Sequence, residues 1–229
     1  MCGRFSETRA GEEVARAFML AHTPELVPRY NIAPTQPVAV VLTDRPEDPR
    51  TLRHMRWGFV PSWADDIAIG NRMINARGET LAEKPAFKAA YKRRRCLVVA
   101  DGFYEWKKDG SKKQPHYIQV DDGNLFAMAG LWEIWGTANG DMLETCTIVT
   151  TEPNELMASI HDRMPVILDP ADYDLWLEVG EWVPDGVQDL LKPFDADRMK
   201  AVKVSSYVNS PRNDSRRCLE PPMEQGLLF

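Results

Sequence analysis

Residues 96–131 read CLVVADGFYEWKKDGSKKQPHYIQVDDGNLFAMAGL, and this stretch decides the fold. The apolar run 96–100 predicts a buried strand, and β-forming runs follow at 103–107, 115–120 and 125–131. Asp-Gly pairs lie in the intervals between the later runs, as is typical of hairpin turns. The stretch therefore predicts consecutive antiparallel strands.

Outward from this stretch, strands and helices are mixed along the chain. Further strands are predicted at 37–42, 52–60, 143–150, 165–168 and 199–204, and helices at 10–20, 81–91, 153–159, 170–177 and 185–191. Ser6 or Thr8 is expected to cap the first helix, and Thr151 the third. Prolines and Asn31 predict that 24–37 is a loop, and 61–77 is predicted to be loop with at most one helical turn.

No repeat and no convincing linker interrupts the pattern. The sequence therefore predicts one α+β domain over residues 1–229, built on a curved, barrel-like and mostly antiparallel sheet with peripheral helices. Residues from about 208 to 229 are polar and are expected to form an irregular tail.

The charge of the chain is unevenly distributed. The net charge is −6, which argues against bulk attraction to nucleic acid. Residues 1–120, however, carry a balance of +6 and residues 121–229 a balance of −12. This asymmetry permits a basic face on an acidic protein, although an unevenly charged, solvated surface explains it equally well.

The four cysteines are too far apart in sequence for a Cys-x-x-Cys pair, and no His–Cys cluster has zinc-like spacing. No apolar run reaches the roughly 18–20 residues of a membrane span, and no secretory signal is recognisable. We therefore expect a cytoplasmic protein with unpaired thiols, no bound metal, no cofactor and no membrane association.

The N-terminus offers unusual chemistry because Cys2 follows the initiator methionine. If Met1 is removed, Cys2 carries an α-amine and a thiol on adjacent carbons. Such an aminothiol condenses with an aldehyde to an imine, and the thiol then closes a five-membered thiazolidine ring. Both groups titrate at about 8 to 8.5, so both react near neutral pH.

Four polar segments, at 2–5, 73–80, 100–107 and 160–165, are predicted to lie in loops or at strand edges, where functional residues concentrate. Each holds an acid–base, thiol or amide group with Arg, Lys or an aromatic residue nearby. Taken singly, Glu105 is also compatible with a solvated strand position, and His161 with a structural, hydrogen-bonded histidine.

Together these segments resemble the SRAP family (SOS-response-associated peptidase), whose members act on abasic sites in single-stranded DNA. The resemblance covers nearly the whole chain through six ordered motifs: MCGRF at 1–5, RYNIAP at 29–34, WGFVPSW at 57–63, INARGET at 74–80, ADGFYEWKK at 100–108 and IHDRMP at 160–165. The Met-Cys-Gly start alone is not specific, because class II glutamine amidotransferases share it.

The resemblance implies a catalytic role for four residues. Cys2 would form a thiazolidine crosslink with the C1′ aldehyde of the abasic sugar, which shields the lesion. Asn75 would orient the sugar and the linked N-terminus, because an amide donates and accepts without adding charge. Glu105 would move protons to and from the α-amine. His161 would open the sugar ring and help to reverse the crosslink, since its ordinary pKa lies near ~6.5.

A second set of residues is expected to contact DNA. Arg4, Arg77 and Arg163 each lie two residues from a chemical group and are interpreted as phosphate ligands. The aromatic and wedge candidates are Trp63, Trp106 and Pro34, with core packing as the alternative for both tryptophans. The basic run 92–95 is interpreted instead as a solvated helix end.

The resemblance also implies self-removal of Met1, which accounts for the word peptidase, and a β-elimination (lyase) side reaction. The expected partner is single-stranded DNA that contains abasic sites, kinked over the site, with the acidic C-terminal half facing away. We expect a monomer that associates with the nucleoid when it is bound to damaged DNA.

Two other functions remain open from the residues. Cys2 could serve an N-terminal-nucleophile amidohydrolase, which would need an oxyanion hole and a carboxamide pocket but no converging arginines. Alternatively, the arginines and aromatics could make a non-covalent single-strand binder, whose binding would be reversed by salt and unaffected by Cys2→Ala.

Overall fold

A computed structural model of the chain describes residues 2–136 and 140–222. Its strands are β1 (Phe5–Glu7), β2 (Arg29–Ile32), β3 (Pro37–Leu42), β4 (Thr51–Trp57), β5 (Asn75–Arg77), β6 (Arg95–Ala100), β7 (Gly102–Asp109), β8 (Lys112–Val120), β9 (Phe126–Gly136), β10 (Met142–Thr151), β11 (Met164–Pro165), β12 (Ile167–Leu168) and β13 (Met199–Lys203). Its α-helices are α1 (Gly11–Phe18), α2 (Pro85–Arg93), α3 (Glu155–Ala158) and α4 (Tyr173–Leu177).

Five strands close into a barrel, as the sequence predicted. β3 pairs antiparallel with β4 and β6, and β6 and β10 both pair antiparallel with β9. The parallel pairing of β10 with β4 closes the ring. The short strands β5 and β11 extend it at β10, and β12 extends it at β9. The barrel leaves few exposed edges for unwanted strand pairing.

A second, fully antiparallel sheet has the strand order β13-β8-β7-β1-β2. The β7–β8 hairpin is the one predicted from the Asp-Gly turn, and it pairs Glu105 with His116. β1 inserts between β7 and β2, where Phe5 lies opposite both Phe103 and Ile32. This insertion brings the N-terminus into the middle of the molecule.

Two apolar clusters fill the fold because barrel strands alternate their side chains between two faces. Val40 belongs to a cluster that the barrel shares with the second sheet, and that cluster also contains Phe5 and Cys2. The neighbouring Val41 belongs to a cluster beneath α1, α2 and α4. Phe5 packs edge-on against Trp57 of the barrel, with ring centroids 5.2 Å apart. Cys2 is thus built into the junction of the two sheets.

Two segments predicted to be loops contain strands. Arg29–Ile32 forms β2 and Asn75–Arg77 forms β5. Both are edge additions of three or four residues, and both are stabilised by pairing with β1 or β10, partners that are distant in sequence. Short strands of this kind depend on tertiary pairing, which local composition does not report.

Two predicted helix caps are wrong. Ser6 lies in β1 and Thr8 follows it, and α1 has Ala10 at its N-cap position without a side-chain bond. Asn154, not Thr151, caps α3 by accepting from the backbone N–H of Met157. The helices are short, and no helix within residues 2–136 and 140–222 is long and apolar enough to cross a membrane.

The sequence predicts that the basic run 92–95 at the end of α2 is solvated. This prediction is wrong for Arg95. Arg95 is buried and donates to the carbonyl oxygens of Tyr91, Lys92, Trp176 and Glu178. It thus binds the C-terminal ends of both α2 and α4, where the helix dipole favours a cation. The run is a structural clamp at this position.

The C-terminal segment is anchored to the second sheet. The carboxylate of Asp214 accepts from the backbone N–H groups of Tyr30 and Asn31 and pairs with Arg29. Val208 and Cys218 lie buried within short 3₁₀ turns, beside the tyrosines of β7 and β8. Residues 206–219 therefore cover the exposed edge of β2, and the last part of the predicted tail, 223–229, lies outside the described residues.

The buried carboxyl group of Glu7 makes the stability of the fold depend on pH. Burial, with Asp101 nearby, raises the pKa of Glu7 from 4.5 to about 7, and its Oε1 has no hydrogen-bond partner among the described residues. The folded chain therefore binds a proton more tightly than the unfolded chain. The free energy of unfolding should fall as the pH rises from about 4.5 to 7 and then level off.

We expect Glu7→Gln to remove this dependence and to raise the free energy of unfolding at pH 8 by up to about 3 kcal/mol. Urea denaturation at several pH values measures it. Glu12→Gln, which removes an exposed carboxylate of α1, is the matched control. Equal pH profiles for wild type and Glu7→Gln would contradict the prediction.

Candidate active site

An open cleft of about 490 Å³ lies beside the end of the second sheet. Its wall combines β7 and β8 with the residues before β1, after α3 and in the C-terminal segment: Arg4, Glu105, Trp106, Lys113, His161 and Asn209. Four of the ten site residues predicted from sequence therefore share one cavity wall.

Cys2 lies fully buried beside this wall, and Asn75 holds it. The amide Nδ2 of Asn75 donates to the carbonyl oxygen of Cys2 over 2.9 Å. Burial, reinforced by the nearby Glu105 carboxylate, raises the pKa of the Cys2 thiol. The thiol is consequently protonated at neutral pH while Met1 is attached, and the Cys2 nitrogen is an amide.

Asn75 is positioned by the barrel. It lies on β5, opposite Ile148 of β10, and the preceding carbonyl of Ile74 accepts from Trp57 Nε1 and from the Ile148 N–H. The side-chain Oδ1 of Asn75 is buried without a hydrogen-bond partner among the described residues. A buried acceptor without a hydrogen-bond donor lowers the stability of the folded protein. It is therefore available to an N–H or O–H group next to Cys2.

Glu105 and His161 form an acid–base pair in the cleft. Burial raises the pKa of Glu105, and His161 counteracts the shift. The Nε2 of His161 lies 3.9 Å from Oε2 of Glu105. A buried carboxyl group with a raised pKa beside an imidazole is a common arrangement for proton transfer.

The backbone fixes the ring of His161. The Arg163 N–H donates to Nδ1 over 3.1 Å, so neutral His161 carries its proton on Nε2, which faces Glu105. Asp162 Oδ1 also lies 2.9 Å from Nδ1, and this contact is a hydrogen bond only when Nδ1 carries a proton. The two contacts therefore stabilise different protonation states of one ring, as a group that donates and accepts protons requires.

Arg4 is engaged within the protein. Its guanidinium donates to Asn31 Oδ1 and to the carbonyls of Val208 and Asn209, over 2.8 to 3.2 Å. It also lies 5.7 Å over the ring of Trp106, whose Nε1 donates to Asn209 Oδ1. Arg4 therefore ties the N-terminus to the C-terminal segment.

Arg163 is likewise paired. It forms a two-fold contact with the Glu79 carboxylate at 2.5 and 2.9 Å and donates to the Thr150 carbonyl. The hydrogen bond with Arg163 lowers the pKa of Glu79. Arg77 is exposed at the end of β5. The predicted DNA contacts of the three arginines stay predictions. Arg4 and Arg163 already bind other groups of the protein.

The other predicted contacts lie outside the cleft wall. Trp63 is 62% exposed on the loop before the 3₁₀ turn at 67–72, and Pro34 is half-buried after β2. Three residues at the cleft were not predicted to belong to the site: Lys113 and Asn209 in its wall, and Asn31 beneath it. Asn31 lies in the motif at 29–34, and Lys113 lies in the stretch 96–131 that decides the fold. Asn209 lies in the segment predicted to be an irregular tail.

Within the described ranges, no group of three or more His, Cys, Asp or Glu side chains could hold a metal ion. The four cysteines, all described, are free and buried. The reactive groups at the cleft are therefore a thiol, an amide, a carboxyl and an imidazole.

Comparison with known proteins settles the family. The sequence model of the family SOS response associated peptidase (SRAP) matches residues 1–211, which is most of the chain. The chain belongs to the SRAP family.

Curated SRAP relatives and a solved structure resemble it over nearly its whole length. The abasic site processing protein YoqW of Bacillus subtilis is 46% identical over 224 residues, covering 96% of this chain and 99% of the relative. The abasic site processing protein HMCES of Xenopus tropicalis is 32% identical, covering 96% and 78%. A crystal structure from Bacteroides thetaiotaomicron matches with a TM-score of 0.85 at 26% identity, covering 97% of this chain and all of the other.

The hydrogen bond to Nδ1 predicts the tautomer of His161. Above the pH at which the ring loses its extra proton, we expect the Nε2–H form, because Nδ1 accepts from the Arg163 N–H. Long-range ¹⁵N–¹H NMR correlations of the imidazole report the protonated nitrogen. An Nδ1–H tautomer would contradict the predicted arrangement.

Proposed function

We propose that this SRAP protein processes abasic sites in single-stranded DNA by forming a thiazolidine between Cys2 and the sugar aldehyde. The observation that carries the proposal is the convergence at one place of four groups: the buried Cys2, held by Asn75, beside the Glu105–His161 pair. Two relatives, of which the match covers 99% and 78%, are named abasic site processing proteins, which supports the substrate.

The reaction begins when Met1, which lies outside the described residues, is removed and Cys2 gains a free amine. His161 transfers a proton to the ring oxygen of the abasic sugar while Glu105 accepts the proton of the C1′ hydroxyl, and the ring opens to the aldehyde. The proton then passes from Glu105 back to His161. The Cys2 amine then adds to C1′. Glu105 relays both protons that the nitrogen loses to the C1′ oxygen, first to form the carbinolamine and then to release that oxygen as water, which leaves the imine.

The resulting imine is closed by the thiol. Sγ of Cys2 adds to C1′, the new carbon–sulfur bond forms, and the thiol proton passes to the ring nitrogen. Burial of the Cys2 thiol, which raises its pKa, favours a protonated sulfur until the imine, a better electrophile, is present. Asn75 fixes the Cys2 carbonyl, and its buried Oδ1 can accept from the amine or the sugar hydroxyl.

The product is a covalent crosslink that protects the sugar from strand cleavage. Reversal runs the same steps backwards: the C1′–Sγ bond breaks as His161 or Glu105 moves a proton from the ring nitrogen to sulfur, and addition of water to the imine releases the aldehyde. β-Elimination from the imine gives a lyase side reaction when the thiol is slow to close. Self-removal of Met1 is part of the proposal, with Glu105, which lies close enough to Cys2 to raise the pKa of its thiol, as the acid–base group.

The first test is adduct formation. Processed protein mixed with single-stranded DNA containing an abasic site should give a heat-stable band of higher mass on a denaturing gel, and Cys2→Ala should abolish it. Cys146→Ala is the matched control, because Cys146 is equally buried in the same apolar cluster.

No heat-stable band, or a band of equal strength with Cys2→Ala, would rule out the proposal. Release of ammonia from glutamine without an adduct would favour the amidohydrolase. Salt-reversible binding unaffected by Cys2→Ala, again without an adduct, would favour the non-covalent binder.

The roles of Glu105 and His161 can be separated by rate. We expect Glu105→Gln to slow adduct formation roughly 10²-fold and to make its decline at low pH shallower, because protonation of this carboxyl, whose pKa is raised, adds to the decline that protonation of the α-amine causes. Single-turnover rates from pH 4.5 to 8 measure both effects. An unchanged acid limb in Glu105→Gln would exclude Glu105 as the base.

His161→Ala should slow reversal of the purified crosslink roughly 10²-fold while changing DNA binding less than threefold. Release is followed by trapping the freed aldehyde with a hydroxylamine probe. Asp162→Ala, which removes an exposed neighbour of Nδ1, is the comparison. Equal reversal rates in wild type and His161→Ala would remove His161 from the mechanism.

A further inference from the structure

The cleft needs a cation for a DNA phosphate, and its one arginine is already committed. Arg4 donates to three acceptors within the protein and covers one face of Trp106. If Arg4 were released, the buried side chain of Asn31 would lose one hydrogen-bond donor, and so would two carbonyl groups of the C-terminal segment. A phosphate would therefore have to share Arg4 rather than take it.

Arg163, beside the cleft, is also engaged, through both terminal nitrogens of its guanidinium. Two of its nitrogens bind both carboxylate oxygens of Glu79, and a third contact reaches the Thr150 carbonyl. A carboxylate in that position competes directly with phosphate for the same fork of donors. Neither Arg4 nor Arg163 is therefore open to a phosphate without breaking contacts inside the protein, and the exposed Arg77 lies outside the cleft wall.

Lys113 differs from both. It is an exposed residue of β8 in the cleft wall, and no hydrogen bond or ion pair joins its side-chain ammonium group to another residue of the described ranges. In the β7–β8 register Lys113 lies opposite Lys108, and Trp106 lies opposite Pro115. Because side chains alternate along strands, Lys113 and Trp106 project from the same face of the hairpin.

We propose that Lys113 is the phosphate ligand of the cleft, binding the DNA backbone beside the nucleotide that stacks on the uncovered face of Trp106. This assignment rests on the proposed function and adds to it. Arg4 then serves as a positioning residue that ties the N-terminus to Asn209. A flexible ammonium suits a single-stranded backbone, whose phosphates do not have one fixed geometry.

The test measures non-covalent affinity in the Cys2→Ala background, with a single-stranded oligonucleotide that carries a tetrahydrofuran abasic analogue. Affinity is recorded between 50 and 200 mM salt. We expect Lys113→Ala to reduce the slope of log affinity against log salt by about 0.7, the value of one phosphate contact on a single strand. Lys113→Arg should restore the slope.

Lys112→Ala is the matched control, because it removes the same charge from the neighbouring position on the opposite face of β8. It should leave the slope closer to that of the reference protein. Equal slopes for Lys113→Ala and Lys112→Ala, with binding otherwise intact, would overturn the assignment of Lys113 alone. Absence of any binding by the Cys2→Ala reference would overturn both this assignment and the proposed DNA substrate.

Discussion

The insertion of β1 between β7 and β2 is the constraint on which the rest of the site depends. Phe5 packs on Trp57, and the backbone of residues 4 and 6 pairs with β7. Buried Asp101 then anchors the strand by accepting from Ser6 Oγ and from the backbone N–H of Thr8. A chain terminus is ordinarily mobile. Here it is ordered as a central strand, so Cys2 is presented in one position.

That position determines the chemistry. The barrel supplies Asn75 from β5, the second sheet supplies Glu105 from β7, and the turn after α3 supplies His161. Burial at the junction of the two sheets raises the pKa values of Glu105 and of the Cys2 thiol. Burial thus favours the protonated form of both the thiol and the Glu105 carboxyl, which suits a stepwise condensation.

Much of this arrangement could be predicted from sequence, for local reasons. Apolar runs divided by Asp-Gly turns report hairpins, and polar motifs report candidate site residues. The same local reading could not find β2, because Arg29–Ile32 is a strand only through its pairing with β1. Nor could it find that Arg95 binds the carbonyls of two helix ends, or that Arg4 binds the C-terminal segment. The sequence does not distinguish a charged side chain that faces solvent from one that binds buried carbonyl groups.

The central claim is that both functional groups of Cys2 end on one carbon of the abasic sugar. The most direct measurement is mass spectrometry of the adduct after nuclease and trypsin digestion, with iodoacetamide added to alkylate free thiols. The account predicts an N-terminal peptide, residues 2–4, that carries the sugar remnant, lacks Met1 and resists alkylation at Cys2. A remnant attached to a lysine, or a modified N-terminal peptide whose thiol is still alkylated, would contradict it.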